Sequence, residues 1–296
     1  DLPRSRWLAV LLVVIVAGLA LAPFLFPGAR ALGVAAKILV FIVLVASYDL
    51  LLGYTGIVSF AHAMFFGIGA YGIAIAASRW GAGWGSVAAG ATVALALSVA
   101  LSSAIGLFSL RVRALFYAMI TLAVASAVLT LASQLTELTG GEDGLTFRVP
   151  ALLSPSFRLR DEPFLGVTLD GRLIAYYLLF TAAAVLFLLM LRIVNSPFGR
   201  VLQAIRENDF RAEALGYPVV VYRTLANVLS AAFATLAGCL LALWLRYNGP
   251  GTSLSFEIML DVLLIVVIGG MGTMYGAVIG AALFLVAQNY LQELLK

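Results

Sequence analysis

Residues 172–216 read RLIAYYLLFTAAAVLFLLMLRIVNSPFGRVLQAIRENDFRAEALG. The first half, as far as residue 194, is an apolar run of the length a helix needs to cross a hydrocarbon core of about 30 Å, roughly twenty residues at 1.5 Å each. The second half, Asn195 to Gly216, is polar and rich in arginine. A membrane chain that holds a charged helix at the membrane surface needs a reason to do so, and docking of a cytoplasmic partner fits best.

Composition extends this reading to the whole chain. It is 63% hydrophobic and only 11% charged, with a mean hydropathy of +1.09, which defines a polytopic membrane protein. The net charge of +4 does not indicate nucleic acid, because the basic residues are scattered between apolar runs and form no basic face. The lysines are Lys37 and Lys296, so no Walker-type phosphate loop is present and ATP hydrolysis by that route is excluded. The single Cys239 lies inside an apolar run, which excludes an intrachain disulfide and a cysteine-based metal cluster.

Counting about twenty apolar residues per crossing places spans near 7–27, 31–52, 57–77, 87–110, 114–134, 172–194, 221–245, 258–270 and 274–291. The fold expected is an all-α transmembrane bundle of eight to ten spans, forming one domain over 1–296. The first run imitates a signal peptide, but its length and Pro23 favour an uncleaved span. Glycines at 269, 270 and 272 interrupt the last apolar stretch, and Ser59 to His62 interrupts the third. Arg4, Arg6, Arg111, Arg113, Arg192, Arg200, Arg206, Arg211 and Arg223 share one side of this map, which the positive-inside rule makes cytoplasmic. Residues 135–171 then form an external loop, with Pro150, Pro155 and Pro163. Gly272, Gly276 and Gly280, and the group Gly67, Gly69 and Gly72, suit close helix packing; the latter matches a dinucleotide fingerprint but lacks the preceding strand.

Catalytic chemistry is sparse. His62 is the only histidine, Ser59 stands one turn before it, and no spacing suits a metal. Charges at membrane depth are costly and mark pathways, which singles out Lys37, Asp49, Glu257 and Asp261. Glu257 and Asp261 share a helical face, Asp261 about 6 Å deeper, with Lys37 as an available partner. The polar segment 195–217 reads as one helix, started by Pro197 and ended by Gly216 and Pro218. Its outer face carries both signs of charge, which fits a protein socket better than a lipid anchor.

Five strings now stand in order: residues 48–56 (YDLLLGYTG) with 59–71 (SFAHAMFFGIGAY), 110–123 (LRVRALFYAMITLA), 139–145 (TGGEDGL), 196–207 (SPFGR with AIRE) followed by 213–216 (EALG), and 267–273 (VIGGMGT). Together they resemble the inner-membrane permeases of ATP-driven (ABC) importers for branched-chain amino acids, in the M-subunit branch of the Liv-type system. The resemblance departs from the family at Asp49, where asparagine is common, and at Ala277, where proline is. It implies a plasma-membrane subunit of a bacterium or archaeon, paired with a second homologous permease. Two cytoplasmic ATP-binding subunits would use the ATP, an external binding protein would deliver branched-chain or other small amino acids, and this chain would hold no cofactor. By analogy Arg200, Arg206, Glu207, Glu213 and Gly216 would meet or support the ATPase, and Asp49, His62, Tyr71, Asp261, Gly269, Gly270 and Gly272 are pathway candidates. The competing reading is an ion-coupled secondary transporter with Asp49, Asp261 or His62 as coupling group.

Overall fold

Glycine, proline and capping side chains cut the apolar runs into helices in the computed structural model, which describes residues 5–25, 28–109, 114–158 and 170–294. Arg4, Arg111, Arg113, Pro163 and Lys296 lie outside the described residues. The helices are α1 (Arg6–Leu25), α2 (Ala29–Thr55), α3 (His62–Trp80), α4 (Trp84–Ser109), α5 (Ala114–Gln134), the short α6 (Thr136–Thr139), α7 (Gly171–Val194), α8 (Pro197–Glu207), α9 (Asp209–Ala214), α10 (Val219–Leu245), the short α11 (Pro250–Ser253), α12 (Phe256–Gly269) and α13 (Met274–Leu294). Each of the nine predicted spans is a helix. Among the described residues, seven stretches are long and apolar enough to cross a membrane, and α13 contributes a shorter apolar stretch, Met274–Tyr290. The fold is an all-α membrane bundle.

Helix α3 begins at His62 and not at residue 57, because Gly56 ends α2 in a left-handed conformation and the chain from there to Ala61 is irregular. The expected interruption at Ser59 to His62 is therefore real. The break at the C-terminal glycines is also real: α12 ends at Gly269, and a turn leads into α13.

At the centre lie α2, α3 and α10, with α4 packed across α3 and α10 and with α7 and α13 against α2. Glycine sets these distances. A Cβ on Gly69 would strike the backbone carbonyl of Thr235 in α10, one on Gly238 would strike that of Phe66, and one on Gly72 would come within 2.8 Å of the Gly90 carbonyl. The helices touch backbone to backbone, the small-residue packing that membranes favour in place of a hydrophobic driving force. Gly69→Leu is expected to cost about 3 kcal/mol or more through overpacking. It should abolish the monodisperse detergent peak, whereas Gly18→Leu, with open space around it, should leave melting unchanged.

Pro23 shows how the bundle repairs a missing bond. Proline has no N–H, so the carbonyl four residues earlier, Leu19, loses its helical donor. Tyr176 in α7 donates its hydroxyl to that carbonyl at 2.6 Å, and Tyr177 donates to Ala20 at 3.0 Å. Two buried polar side chains of α10 are likewise paired: Asn227 accepts from Tyr117 and donates to the Ser102 carbonyl, and Thr235 donates to Ser98.

At one end of the bundle the loop after α5 is folded down as a clasp. Strand β1 (Leu145–Thr146) pairs antiparallel with β2 (Tyr247–Asn248), Leu145 opposite Asn248. Tyr247 donates to the Asp143 carbonyl and Arg246 to that of Leu153. Gly144, at φ +71, sits where a Cβ would press on Gly249 at 2.7 Å, which is why the 139–145 string carries glycine there. At the other end stand α8 and α9.

Candidate functional site

Ser196 caps α8 by accepting from Gly199, Pro197 occupies the first turn, and Leu202 and Ile205 turn into the bundle. Phe198 stacks on Tyr222 of α10 with centroids 5.6 Å apart, and Tyr217 meets the same ring edge-on. The single helix expected over 195–217 is in fact two. Asn208 leaves helical geometry (φ −160, ψ 99) and its side chain accepts from Arg211 N at 2.9 Å, so it ends α8 and caps α9. An N-cap residue three positions before the next free amide was the signal for this break. Asp209 and Arg223 then pair at 3.4 Å across the α9–α10 corner, an exposed contact of little energetic weight.

Arg206 is exposed, yet its guanidinium reaches back toward the bundle. Its guanidinium Nη1 donates to the carbonyl of Gly53, near the end of α2. That carbonyl is one of the last four of its helix and has no intrahelical donor, since α2 stops at Thr55 and the Ile57 amide bonds to Leu51. A cation there also complements the negative end of the helix dipole. One turn back on α2, Asp49 is 1% exposed, and its Oδ1 accepts from the amide of Gly272 at 2.8 Å. Gly272 stands at φ +82, and a Cβ on it would lie 2.8 Å from Arg206 Nη1 and 3.1 Å from the Gly53 carbonyl. Only glycine fits. Three separate parts of the chain thus meet at one point: the polar helix, the end of α2 and the turn between α12 and α13. Gly53, Gln203, Arg206, Glu207 and Gly272 line a cleft of about 380 Å³ beside it.

Of the remaining sequence-derived candidates, Gly269 and Gly270 belong to the same turn, and His62, Tyr71 and Asp261 lie apart from this junction. Gly269 packs against Gly276 across the α12–α13 turn, and Gly270, at φ +99, accepts from the Thr273 hydroxyl. Gly276 and Gly280 do lie on a packed helix face, whereas Gly272 belongs to the turn. His62 is sealed in the core, where its Nε2 meets Ser47 Oγ at 2.8 Å, while Ser59 accepts from the Ala61 amide. Since Ser47 gives its own proton to the Leu44 carbonyl, the imidazole donates to Ser47. Tyr71 borders an apolar groove of about 280 Å³ between α3, α4 and α5. Asp261 lines a different cavity at the clasp end, with Lys37 and the more exposed Glu257.

Arg200, Glu207, Glu213 and Gly216 are exposed around α8 and α9. Between them stand two apolar side chains that a folded surface seldom shows: Phe210, 81% exposed, and Leu215, 73% exposed. Phe210 escaped notice in the sequence because it breaks the apolar spacing of α8; its signal is an isolated aromatic among Asp209, Arg211 and Glu213. Gly53 and Gln203 carried no signal of their own.

A family model described as branched-chain amino acid transport system / permease component matches residues 30–296. The chain belongs to this family. The permease is 29% identical over 302 residues to the high-affinity branched-chain amino acid transport system permease protein LivM of Salmonella typhimurium, covering 98% of this chain and 69% of that protein. It is also 29% identical over 272 residues to the LivM protein of Escherichia coli, with 88% and 63% covered. A probable LivM protein of Methanocaldococcus jannaschii is 26% identical over 202 residues, with 66% and 55% covered. The permease therefore spans about two thirds of the length of the relatives it matches. No solved structure matches it significantly. With the membrane-length helices, the family makes this chain a multi-pass plasma-membrane transport permease and sets it among transport subunits.

Proposed function

We propose that this permease is the membrane subunit of an ATP-driven importer and forms half of the translocation pathway for branched-chain or other small amino acids. The observation that carries this reading is the pair of exposed apolar anchors, Phe210 and Leu215, on a charged surface whose Arg206 is fastened to α2, which in turn holds the α12–α13 turn through Asp49. An apolar centre rimmed by both signs of charge is the anatomy of a protein docking site. The segment 195–217 would receive one of two cytoplasmic ATP-binding subunits, which use the ATP while this chain holds no cofactor. The external loop 135–171, whose described strand β1 is clasped to β2, would face the substrate-binding protein, and a second homologous permease would complete the pathway. The relatives, named as parts of branched-chain amino acid transport systems, support the substrate class.

In this arrangement ATP-driven movement of the docked subunits pulls on α8, and Arg206 carries the pull to α2 and the glycine turn. Ion coupling through Asp49 or His62 is less favoured, since Asp49 holds the turn amide and His62 is buried against Ser47.

Glu213→Arg is the direct test. The tagged variant should purify with an unchanged melting temperature but without the P-loop ATPase subunits that accompany the unaltered chain from its native membrane. Retention of those subunits by the variant would remove Glu213 from the socket. A homo-oligomer of the unaltered chain that drives uptake from an ion gradient would remove the importer reading altogether.

A further inference from the structure

At the end of the bundle away from α8, the first half of α2, the last turn of α10, the start of α12 and the end of α13 enclose a cavity of about 540 Å³. This is within the roughly 300–1,000 Å³ range of small-molecule sites. Lys37 and Asp261, the charges set deepest in their apolar helices at this end, both line it. Neither is neutralised by a direct ion pair with a described residue. The Lys37 ammonium lies 5.5 Å from the centre of the Phe41 ring, and the Asp261 Oδ2 accepts from Gln288 Nε2 at 3.4 Å. A lysine and an aspartate within apolar helices are costly unless water or a ligand solvates them. Here they belong to different walls of one cavity, while Phe41 and Trp244 supply apolar surface beside them. Glu257, one turn before Asp261 on the same helix, adds negative charge on the same wall.

We infer that this cavity binds a zwitterionic α-amino acid, with the ammonium at Asp261, the carboxylate at Lys37 and the apolar side chain toward Phe41 and Trp244. The inference rests on the permease reading and adds a selective site within this chain. A cation and an anion that line one cavity without a direct ion pair match the two ends of a zwitterion, and a bound ligand gives each of them a direct partner. A ligand lacking either end leaves one of them unpaired, so the site discriminates by charge before it discriminates by side chain.

The test is binding of tritiated L-leucine to the full chain in phosphatidylcholine nanodiscs, with leucinamide and 4-methylpentanoate as competitors lacking the carboxylate and the ammonium respectively. Asp261→Asn and Lys37→Met should each weaken leucine about ten- to a hundredfold, the scale of losing one hydrogen bond to a charged group. Asp261→Asn should lose competition by leucinamide and keep that by 4-methylpentanoate, and Lys37→Met should do the reverse. Asp261→Glu, which keeps the charge, should recover most of the binding if Asp261→Asn proves poorly folded. Undiminished leucine binding in both variants, or none in the unaltered chain, overturns the site. So does displacement of leucine by phosphatidylethanolamine in the nanodisc, which would make the occupant a lipid headgroup. Uptake in the native cells separates the two levels: loss of leucine uptake on deletion of the chain keeps the permease reading even where the cavity fails, and undiminished uptake of every amino acid removes that reading.

Discussion

Arg206→Ala is expected to lower amino acid uptake about ten- to a hundredfold while the permease stays folded and keeps its ATPase subunits, the scale set by the ~1.5–3 kcal/mol of a hydrogen bond to a charged group. The side chain belongs to a surface helix, yet it ends on the Gly53 carbonyl of α2 and beside Gly272. Removing it leaves the α8 surface intact and cuts the link behind it. The characteristic result is therefore uncoupling: ATP hydrolysis continues in proteoliposomes containing the complete importer, and more ATP is consumed per amino acid moved. Arg206→Lys keeps the charge but not the fork of donors, and should recover only part of the ratio. Asp49→Ala acts on the other half of the junction by freeing the Gly272 amide. The two changes should be strongly non-additive, because either one alone parts α2 from the polar helix or from the turn. If Arg206→Ala instead loses the ATPase subunits, with hydrolysis and uptake falling together, the residue is a partner contact and the link is not made through it.

This junction also marks what could and could not be read from the sequence. Helix positions were legible because membrane burial demands long apolar runs with every backbone group satisfied, and the breaks at Ser59 and at Gly269 to Gly272 carried their usual residues. The split at Asn208 was overlooked because the polar segment has good helix residues on both sides of a single capping side chain. The sequence singles out Asp49 and Gly272 as pathway candidates and Arg206 as a coupling residue, without joining them. Their meeting joins residues 153 and 223 positions apart, through one hydrogen bond from Arg206 to Gly53 and one from Gly272 to Asp49. Periodicity reports which face of a helix is buried and is silent on which other helix covers it. The same limit applied to His62, whose neighbour in sequence is Ser59 but whose partner in space is Ser47. For Lys37 and Asp261 the sequence suggested a pair, and the fold brings them to one cavity without a direct ion pair.

Phe210→Ala should weaken capture of the ATPase subunits about thirtyfold, from the roughly 2 kcal/mol or more that truncating a central aromatic anchor costs an interface. In the permease alone the side chain is 81% exposed, so its removal takes away few internal contacts and the melting temperature should not change. This combination, lost affinity without lost stability, separates a docking anchor from a core residue. A ring on a short helix held by the Asn208 cap presents its apolar area at low entropic cost, since the helix is ordered before the partner arrives. Leu215→Ala should have a smaller effect in the same direction, because leucine buries less area and is seldom a hot spot. The measurement is titration of the purified ATPase subunits onto the permease in nanodiscs, repeated with and without anionic lipid. Loss of affinity in both lipids supports a protein socket. An unchanged affinity, with the Phe210 effect confined to anionic membranes, would instead make α9 a lipid anchor, and the mixed charges around it would no longer argue for a partner.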